Sequence, residues 1–262
     1  MPRPADLRFF SDGRPSLRKA EGGNDWSLLA DIDLRGLAGG VLADTDTVVA
    51  GGFTGVARLS AGGQTWTRTA DGIRVQPTVT GIRRGGISWD LEAMLGRATD
   101  GRDVFWVQTQ VVNATMTGTL AIPAVTMGRE LITNAGGLTS AVRMSYIRSG
   151  TGLFWAATME NPAGADQVNL TQSAAGDSDP TGTDLVVGGQ YAIGIGAQVA
   201  VRNPRSTYLA PFESLRASSA PRPEAGNRFP VDRVAIQFIT GTSTANEVTF
   251  AGLRVQHTRL PA

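Results

Sequence analysis

The sequence predicts an all-β protein, an antiparallel β-sandwich made of many short strands. Two observations support this fold class. Short apolar segments alternate with polar residues at a period of two, which is the period of a strand with one buried face. Glycine (33 residues) and proline (13 residues) recur between these segments, as they do in tight turns. No long helical pattern or fixed repeat is visible, which disfavours alternating βα units, propellers and solenoids.

The beginning of the chain differs from the rest. Residues 1–40 contain several prolines and charges, and their apolar residues are unevenly spaced. We therefore expect an N-terminal arm or attachment segment over residues 1–60 and a β-sandwich domain over residues 61–262. Trp26 lies in the predicted arm and is expected to anchor it in a pocket of a partner. The alternative is that residues 1–40 form a first strand and loops folded onto the sandwich.

The strands follow one another between turn signals such as Gly51-Gly52, Asp71-Gly72 and Ser149-Gly150. We expect them at 47–50, 55–60, 64–70, 73–80, 86–95, 104–112, 115–127, 138–148, 152–160, 167–172, 190–202, 232–240 and 247–257. A long loop over residues 206–229 contains three prolines, and loops of that length are usually functional or partly mobile.

The strand predicted from Gln190 to Arg202 is one of the two longest. Apolar residues such as Tyr191 and Val199 alternate along one face, whereas the other face carries mostly alanine and glycine. Such a bare face indicates the floor of a shallow groove or the seat of another chain, because glycine lets a backbone approach closely. In the last strand the apolar phase slips at Ala251-Gly252, which predicts a β-bulge.

Composition excludes several classes of function. The 24 basic and 23 acidic residues balance, so we expect no nucleic-acid partner. The absence of cysteine excludes disulfides, thiolate zinc sites and cysteine nucleophiles, and His257 is the only histidine. The first 15 residues lack the apolar segment of a secretory signal, and the longest apolar tract, residues 185–201, is interrupted by glutamine and glycine. We expect a protein made in the cytoplasm that does not insert into a membrane.

The order of patterns between Thr65 and Thr258 resembles that of the concanavalin A-like jelly-roll proteins. The resemblance rests on the strands that contain Trp89, Trp106 and Tyr191, followed by the closing pair of strands 234–238 and 248–255. It implies a jelly-roll β-sandwich. Many phage virion proteins and carbohydrate-binding modules share this layout.

The resemblance therefore implies a structural accessory protein of a tailed bacteriophage or phage-like particle. A tail fibre, a head spike or a capsid decoration protein would all fit, and the sandwich would serve attachment to the host or glycan binding. Such a protein is made in the host cytoplasm and ends in the virion. Its expected partners are other virion proteins and a cell-surface glycan, and it is expected to be a homo-oligomer, with a trimer as the guess.

A candidate glycan-binding face combines Asp90 and Glu92 with Trp106, Gln108 and Gln110. Asp90 and Glu92 are two residues apart, so on one strand both carboxylates would project from the same face. Amides and an indole on a neighbouring strand would complete a sugar site. The alternative is an ordinary solvated sheet face.

An enzyme acting on polysaccharide is the alternative function, because glycoside hydrolysis uses paired carboxylates. Glycosidases that resemble this chain carry a longer acidic motif, roughly Glu, Asp and Glu at alternate positions. Met94 stands where a third acid would be needed. We therefore expect no catalytic residues and no enzymatic activity.

Calcium is the one cofactor that the sequence suggests. Asp177, Asp179 and Asp184 lie in a segment whose first half resembles a calcium loop, with alternating oxygen ligands and a turning glycine. Gly188 occupies the twelfth position, where such a loop needs a bidentate glutamate. The alternative is a plain polar turn.

Overall fold

A computed structural model gives the fold of the chain. It describes residues 27–59, 62–99, 103–117, 122–128, 141–149, 152–160, 167–172, 183–190, 198–202, 207–211 and 232–259. For residues 104, 106, 122, 258 and 259, and for the described residues between 141 and 211, only the backbone is described.

The strands form two antiparallel sheets. Their bounds are β1 Ser27–Asp33, β2 Gly40–Leu42, β3 Thr47–Ala50, β4 Phe53–Leu59, β5 Gln64–Thr69, β6 Gly72–Pro77, β7 Arg83–Asp90, β8 Asp103–Thr115, β9 Ile122–Gly128, β10 Ala141–Ser149, β11 Gly152–Glu160, β12 Gln167–Gln172, β13 Thr183–Gln190, β14 Gln198–Arg202, β15 Thr207–Pro211, β16 Arg233–Thr240 and β17 Glu247–Arg259. A short helix, α1, spans Leu91–Leu95.

The nine-stranded sheet has the order β15-β14-β13-β8-β17-β6-β5-β2, and β1 also pairs with β17. The eight-stranded sheet has the order β12-β11-β10-β9-β16-β7-β4-β3. The predicted all-β class, an antiparallel jelly-roll β-sandwich, is confirmed. Neighbouring strands are far apart in sequence at the centre of each sheet, so the sandwich closes through long-range pairing.

The core lies between the two sheets and is centred on large aromatic side chains. Trp66, Phe105 and Phe250 of the nine-stranded sheet and Trp89 and Phe238 of the eight-stranded sheet are all fully buried. The rings of Trp66 and Phe250 stack with their centroids 6.4 Å apart. Alternate residues of β7, β8 and β17 supply this core, as the period of two predicts.

A polar bridge also joins the two sheets. Gln64 lies in β5, and its side chain is only 8% exposed. Its Nε2 donates to the carbonyl oxygens of Phe238, at 2.9 Å, and Arg83, at 3.2 Å, both in the opposite sheet. Its Oε1 accepts a 2.9 Å hydrogen bond from Trp66 Nε1. The amide thus satisfies a buried indole while it ties the sheets together.

Strand β17 shows the predicted bulge. Phe250 pairs with Val111 and Gly252 pairs with Gln110, so Ala251 is an extra residue in the ladder. On its other edge, β17 pairs with β6 up to Phe250 and with β1 from Gly252 onward. The bulge therefore marks the point at which β17 changes partners.

The predicted arm over residues 1–60 is wrong for its second half. Strands β1 to β4, between Ser27 and Leu59, are paired members of the two sheets. From Ser27 onward the alternative holds, in which the early residues fold onto the sandwich. Residues 1–26 lie outside the described part of the chain.

The single strand predicted from Gln190 to Arg202 is also wrong. Gln190 ends β13, and the separate strand β14 begins at Gln198. The two strands pair antiparallel, with Gly188 opposite Ala200. One alternating pattern therefore covers parts of two neighbouring strands, which periodicity alone does not distinguish from one long strand.

Within the described residues, the structure has no helix that is long and apolar enough to cross a lipid bilayer.

Candidate functional site

A cavity of about 270 Å³ opens on the nine-stranded sheet where β1, β17 and β8 run side by side. Its lining comes from the end of β1 and the residues just after it, from the middle of β8 and from the bulged part of β17. The lining residues are Asp31, Ile32, Asp33, Arg35, Gln108, Gln110, Ala251, Gly252, Leu253 and Arg254.

Strand alternation explains why polar side chains line this cavity. Ile32, Thr109 and Leu253 face the core and are buried there. Their chain neighbours therefore lie on the opposite, outer face of the sheet. Register brings these neighbours together in two rows: Asp31 pairs with Arg254, which pairs with Gln108, and Asp33 pairs with Gly252, which pairs with Gln110.

The bulge brings β1 close to β17 at the floor of the cavity. A Cβ atom at Gly252 would lie 2.7 Å from the carbonyl oxygen of Ile32, which is closer than real Cβ contacts allow. Glycine at this position is therefore required for the two strands to pair through the bulge. Thr109 fixes the same point from the core side, since its hydroxyl donates to the Gly252 carbonyl at 2.6 Å.

Arg254 is the most buried charge at the cavity, with 7% of its surface exposed. Its Nη2 lies 3.0 Å from Oδ2 of Asp31. Pairing with a carboxylate offsets part of the cost of removing the guanidinium from water. Its Nε is also buried and has no hydrogen-bond partner among the residues that the structure describes.

Asp33 and Arg35 form a second ion pair at the rim. Arg35 Nε donates to Asp33 Oδ1 and its Nη2 donates to Oδ2, both at 2.8 Å, in a bidentate arrangement. The hydrogen bond from Arg35 lowers the pKa of the Asp33 carboxyl below its ordinary value of 3.8, and partial burial opposes this shift. The same pair raises the pKa of Arg35. Both groups are therefore charged at neutral pH.

Gln108 supplies an unpaired polar group at the cavity. The residue is 8% exposed, and its Oε1 is buried without a hydrogen-bond partner in the described part of the chain. Gln256 lies on the same face of β17, two residues after Arg254. Its Oε1 is also buried and has no partner within the described ranges. Buried amide oxygens that lack a donor are costly, which makes them candidates for contact with a ligand.

The structure brings only part of the predicted glycan site together. Gln108 and Gln110 lie side by side at the cavity, as alternation on β8 predicts. Trp106 precedes them on the same strand and pairs with Gln256, and its side chain is outside the described part.

The prediction that Asp90 and Glu92 share this face is wrong. Asp90 ends β7 in the eight-stranded sheet and Glu92 lies in α1, whereas Gln108 and Gln110 belong to the nine-stranded sheet. The predicted strand 86–95 stops at Asp90, whose side chain accepts a 2.9 Å hydrogen bond from Ala93 N and so caps α1.

Each of these two carboxylates has a local structural partner. Asp90 also pairs with Arg233 at 2.8 Å, and Glu92 accepts a 3.1 Å hydrogen bond from Thr99 N. The segment after Asp90 forms a helix instead of continuing the strand, because aspartate is a strong helix N-cap and Gly96 ends the helix with a φ of 70°.

The remaining predicted site residues are placed as follows. Asp184 lies in β13 opposite Gln110 in register, and its side chain is not described. Trp26, Asp177 and Asp179 lie outside the described residues. Where side chains are described, no group of three or more metal-binding side chains is found. Calcium binding stays a prediction.

Sequence reasoning missed Asp31, Asp33, Arg35 and Arg254. The signal for the first three was present: residues 31–35 alternate charged and apolar side chains, which is a strand pattern. The prolines and charges that precede this segment favour an arm instead, and they obscure the strand pattern. Arg254 alternates with Leu253 and Val255, so its outward position was predictable, but its partner across the sheet was not.

A second charged cluster lies at the end of the sandwich and involves the only histidine. Asp103 is fully buried and accepts hydrogen bonds from Arg97 and from His257 Nε2, the latter at 2.8 Å. The His257 ring also packs against Phe105. The hydrogen bonds of this cluster connect the loop after α1 to the ends of β8 and β17. The cluster therefore stabilises the fold.

No protein-family model matches the chain, and comparison with curated protein sequences found no match. Solved structures of lectin-like β-sandwiches resemble it. A legume lectin-like domain from Entamoeba histolytica is 9% identical, with 79% of this chain and 90% of that chain covered and a TM-score of 0.44.

Two further structures are similar to the same extent. The alginate lyase Aly36B is 10% identical, with 89% of this chain and 98% of that chain covered and a TM-score of 0.46. The CBM2 module of the evolved Dit of Lactobacillus casei BL23 phage J-1 is 10% identical, with coverage of 91% and 99% and a TM-score of 0.46. At this level of identity the likeness concerns the fold alone.

Proposed function

We propose that this chain is a carbohydrate-binding β-sandwich whose binding site is the cavity between β1, β8 and β17. The observation that carries the proposal is the lining of that cavity. It combines amides, carboxylates and guanidinium groups on a rigid sheet face, and its volume of about 270 Å³ is close to the lower end, about 300 Å³, of pockets that hold small ligands.

These groups suit sugar hydroxyls for a chemical reason. A hydroxyl both donates and accepts a hydrogen bond, so it pairs with an amide oxygen, a carboxylate or a guanidinium. The Oε1 of Gln108 lacks a donor in the described structure, and a ligand hydroxyl would supply one. The ion pairs of Arg254 and Arg35 hold the surrounding groups in fixed positions, which lowers the entropy cost of binding.

Cleavage of the glycan is the alternative function. A glycosidase needs one carboxylic acid that stays protonated at working pH, so its pKa must be raised. At this cavity Asp31 pairs with Arg254, and the Arg35 guanidinium lowers the pKa of Asp33. The Asp33 carboxyl is thus held ionised and is unsuited to act as the acid, which favours binding without hydrolysis.

Binding of a glycan panel by the purified protein tests the proposal, followed by isothermal titration with the strongest ligand. The double variant Gln108→Ala/Gln110→Ala removes two amides, each worth about 0.5–1.5 kcal/mol, so affinity should fall about 5- to 150-fold. Glu92→Gln is the matched control, because Glu92 lies in α1 and outside the cavity lining. A loss of affinity in Glu92→Gln but not in the double variant would refute the site.

We further propose that the chain displays this face as a structural accessory protein of a tailed phage or phage-like particle, as a tail fibre, head spike or decoration protein. Two sheet edges support a contact with other subunits or virion proteins. Strand β2 ends one sheet and β3 ends the other, and only residues 43–46 separate them. Val41 and Val49 are 64% and 61% exposed there. Exposed apolar edge strands are sites where another chain can pair.

An antibody against the purified chain tests this placement. Particles purified on a density gradient from a producing culture should carry the protein at a fixed ratio to the capsid protein. Recovery of the protein only in the fraction without particles would refute the placement. That result would leave the proposed glycan binding intact.

A further inference from the structure

We infer that the cavity between β1, β8 and β17 selects electrically neutral glycans over acidic ones. This inference rests on the proposed glycan binding and names the class of ligand for the same site. Three features of the lining support it: its charge balance, the pairing of its cations and the kind of hydrogen-bonding groups that stay unpaired.

Among the described side chains that line the cavity, the charges sum to zero. Asp31 and Asp33 contribute two negative charges, and Arg35 and Arg254 contribute two positive charges. A site for acidic sugars needs a positive field, since such a field attracts the ligand and compensates for the loss of its hydration. A lining without net charge does not attract an acidic sugar in this way. A neutral ligand needs no such attraction in order to bind.

Both cations of the lining already face a carboxylate. Arg254 Nη2 lies 3.0 Å from Asp31, and Arg35 contacts both oxygens of Asp33 at 2.8 Å. An acidic sugar that approached either guanidinium would come close to the aspartate that occupies it. Like charges at such distances repel, and more strongly where the site is partly buried. The ion pairs therefore act against an anionic ligand.

The unpaired groups call for a donor as well as an acceptor. Gln108 Oε1 in the lining and Gln256 Oε1 on the same sheet face are buried acceptors that have no partner among the described residues. A sugar hydroxyl donates to such an oxygen and still accepts from a guanidinium, whereas an ionised carboxylate can only accept. A neutral sugar therefore offers at every position a hydroxyl that complements both kinds of group, whereas the carboxylate of a uronate complements only the guanidinium.

The experiment compares neutral hexose oligosaccharides and acidic uronate oligosaccharides of matched length, by isothermal titration at low salt with the full chain. The wild-type protein should bind at least one neutral oligosaccharide about tenfold more tightly than its acidic counterpart, which equals about 1.4 kcal/mol. Asp31→Asn gives the lining one net positive charge, so it should lower this preference several-fold. Asp71→Asn, which changes an exposed carboxylate outside the lining, should leave the preference unchanged.

The outcomes separate this inference from the proposal on which it rests. Equal or tighter binding of the acidic oligosaccharides by the wild-type protein would overturn the selectivity and leave glycan binding standing. An unchanged preference in Asp31→Asn would overturn the role of the ion pair, provided that its melting temperature stays near that of the wild type. Absence of binding to both classes would overturn the proposed function and this inference with it.

Discussion

Replacement of Gln64 by methionine should destabilise the protein strongly, although it changes neither the size nor the shape of the side chain much. Gln64 makes three hydrogen bonds, with the indole of Trp66 and with the carbonyls of Phe238 and Arg83. Methionine makes none of them. The donor of Trp66, which is fully buried, would lose its partner inside the core.

The size of the effect follows from the number of groups affected. Each hydrogen bond contributes about 0.5–1.5 kcal/mol, and a buried polar group left unsatisfied costs about 1–3 kcal/mol. We expect Gln64→Met to lower the free energy of unfolding by about 3–5 kcal/mol. In a chain of this length that corresponds to a fall of roughly 6–20 °C in melting temperature.

Chemical denaturation followed by tryptophan fluorescence measures this loss. Gln110→Met is the matched control, since the side chain of Gln110 lies at the cavity and makes no hydrogen bond to the described residues. Its effect should stay within about 0.5 kcal/mol. A loss below about 1 kcal/mol in Gln64→Met would refute the argument that this amide bridges the two sheets.

Three further changes test other parts of the structure. Gly55→Ala places a Cβ 2.5 Å from the buried ring of Trp89, and such overpacking should cost about 1–3 kcal/mol of unfolding free energy in urea denaturation. Asp103→Asn removes the charge from a fully buried carboxylate that holds two basic side chains, and should cost about 3–5 kcal/mol by the same measurement. Arg35→Ala should raise the pKa of Asp33, since the hydrogen bond that lowers it is lost, and NMR titration of the carboxyl carbon should show this rise.

Each of these changes has a control. Gly39→Ala meets no side chain and should alter stability by less than about 0.5 kcal/mol. Asp90→Asn keeps the helix cap and loses only a partly exposed ion pair with Arg233, so it should cost about 0–1 kcal/mol. Arg58→Ala lies outside the cavity lining and should leave the Asp33 pKa unchanged. A control that equals its test variant would contradict the corresponding argument.

The sign of the pH effect at Asp33 follows from the direction of its shift. A carboxyl whose pKa is lower in the folded protein contributes stability above its unfolded pKa, near 3.8. That contribution is lost as the pH falls through the lower folded value. The wild type should therefore lose slightly more stability than Arg35→Ala on acidification below about pH 4. The loss is small because the pair is partly exposed.

The fold class was predictable because β-sandwich strands carry their signal locally. Alternation placed Phe105 and Val107 in the core and Gln108 and Gln110 on the other face, and the structure agrees. The phase slip at Gly252 predicted the bulge. Partners across the sheet could not be predicted, because pairing of β1 with β17 joins residues more than two hundred positions apart. No local pattern specifies such pairing.

The candidate site was only half predictable for the same reason. Gln108 and Gln110 follow from one strand, but Asp31 and Arg254 form a site only when β1 and β17 are adjacent. The prediction that Asp90 and Glu92 belong to this site is wrong, because the side chain of Asp90 caps α1. The strand therefore ends at Asp90 and a helix begins. In an alternating segment an aspartate followed by a run of helix formers predicts either element, and tertiary contacts decide between them.

The most direct test of the account maps where a glycan binds. Two-dimensional amide NMR of the labelled protein, titrated with the strongest ligand of the glycan panel, reports every backbone amide that the ligand perturbs. The account predicts the largest shifts at residues 31–35, 108–110 and 251–254, with little change at residues 90–92. The largest shifts at residues 90–92, or shifts confined to another face of the sandwich, would contradict it.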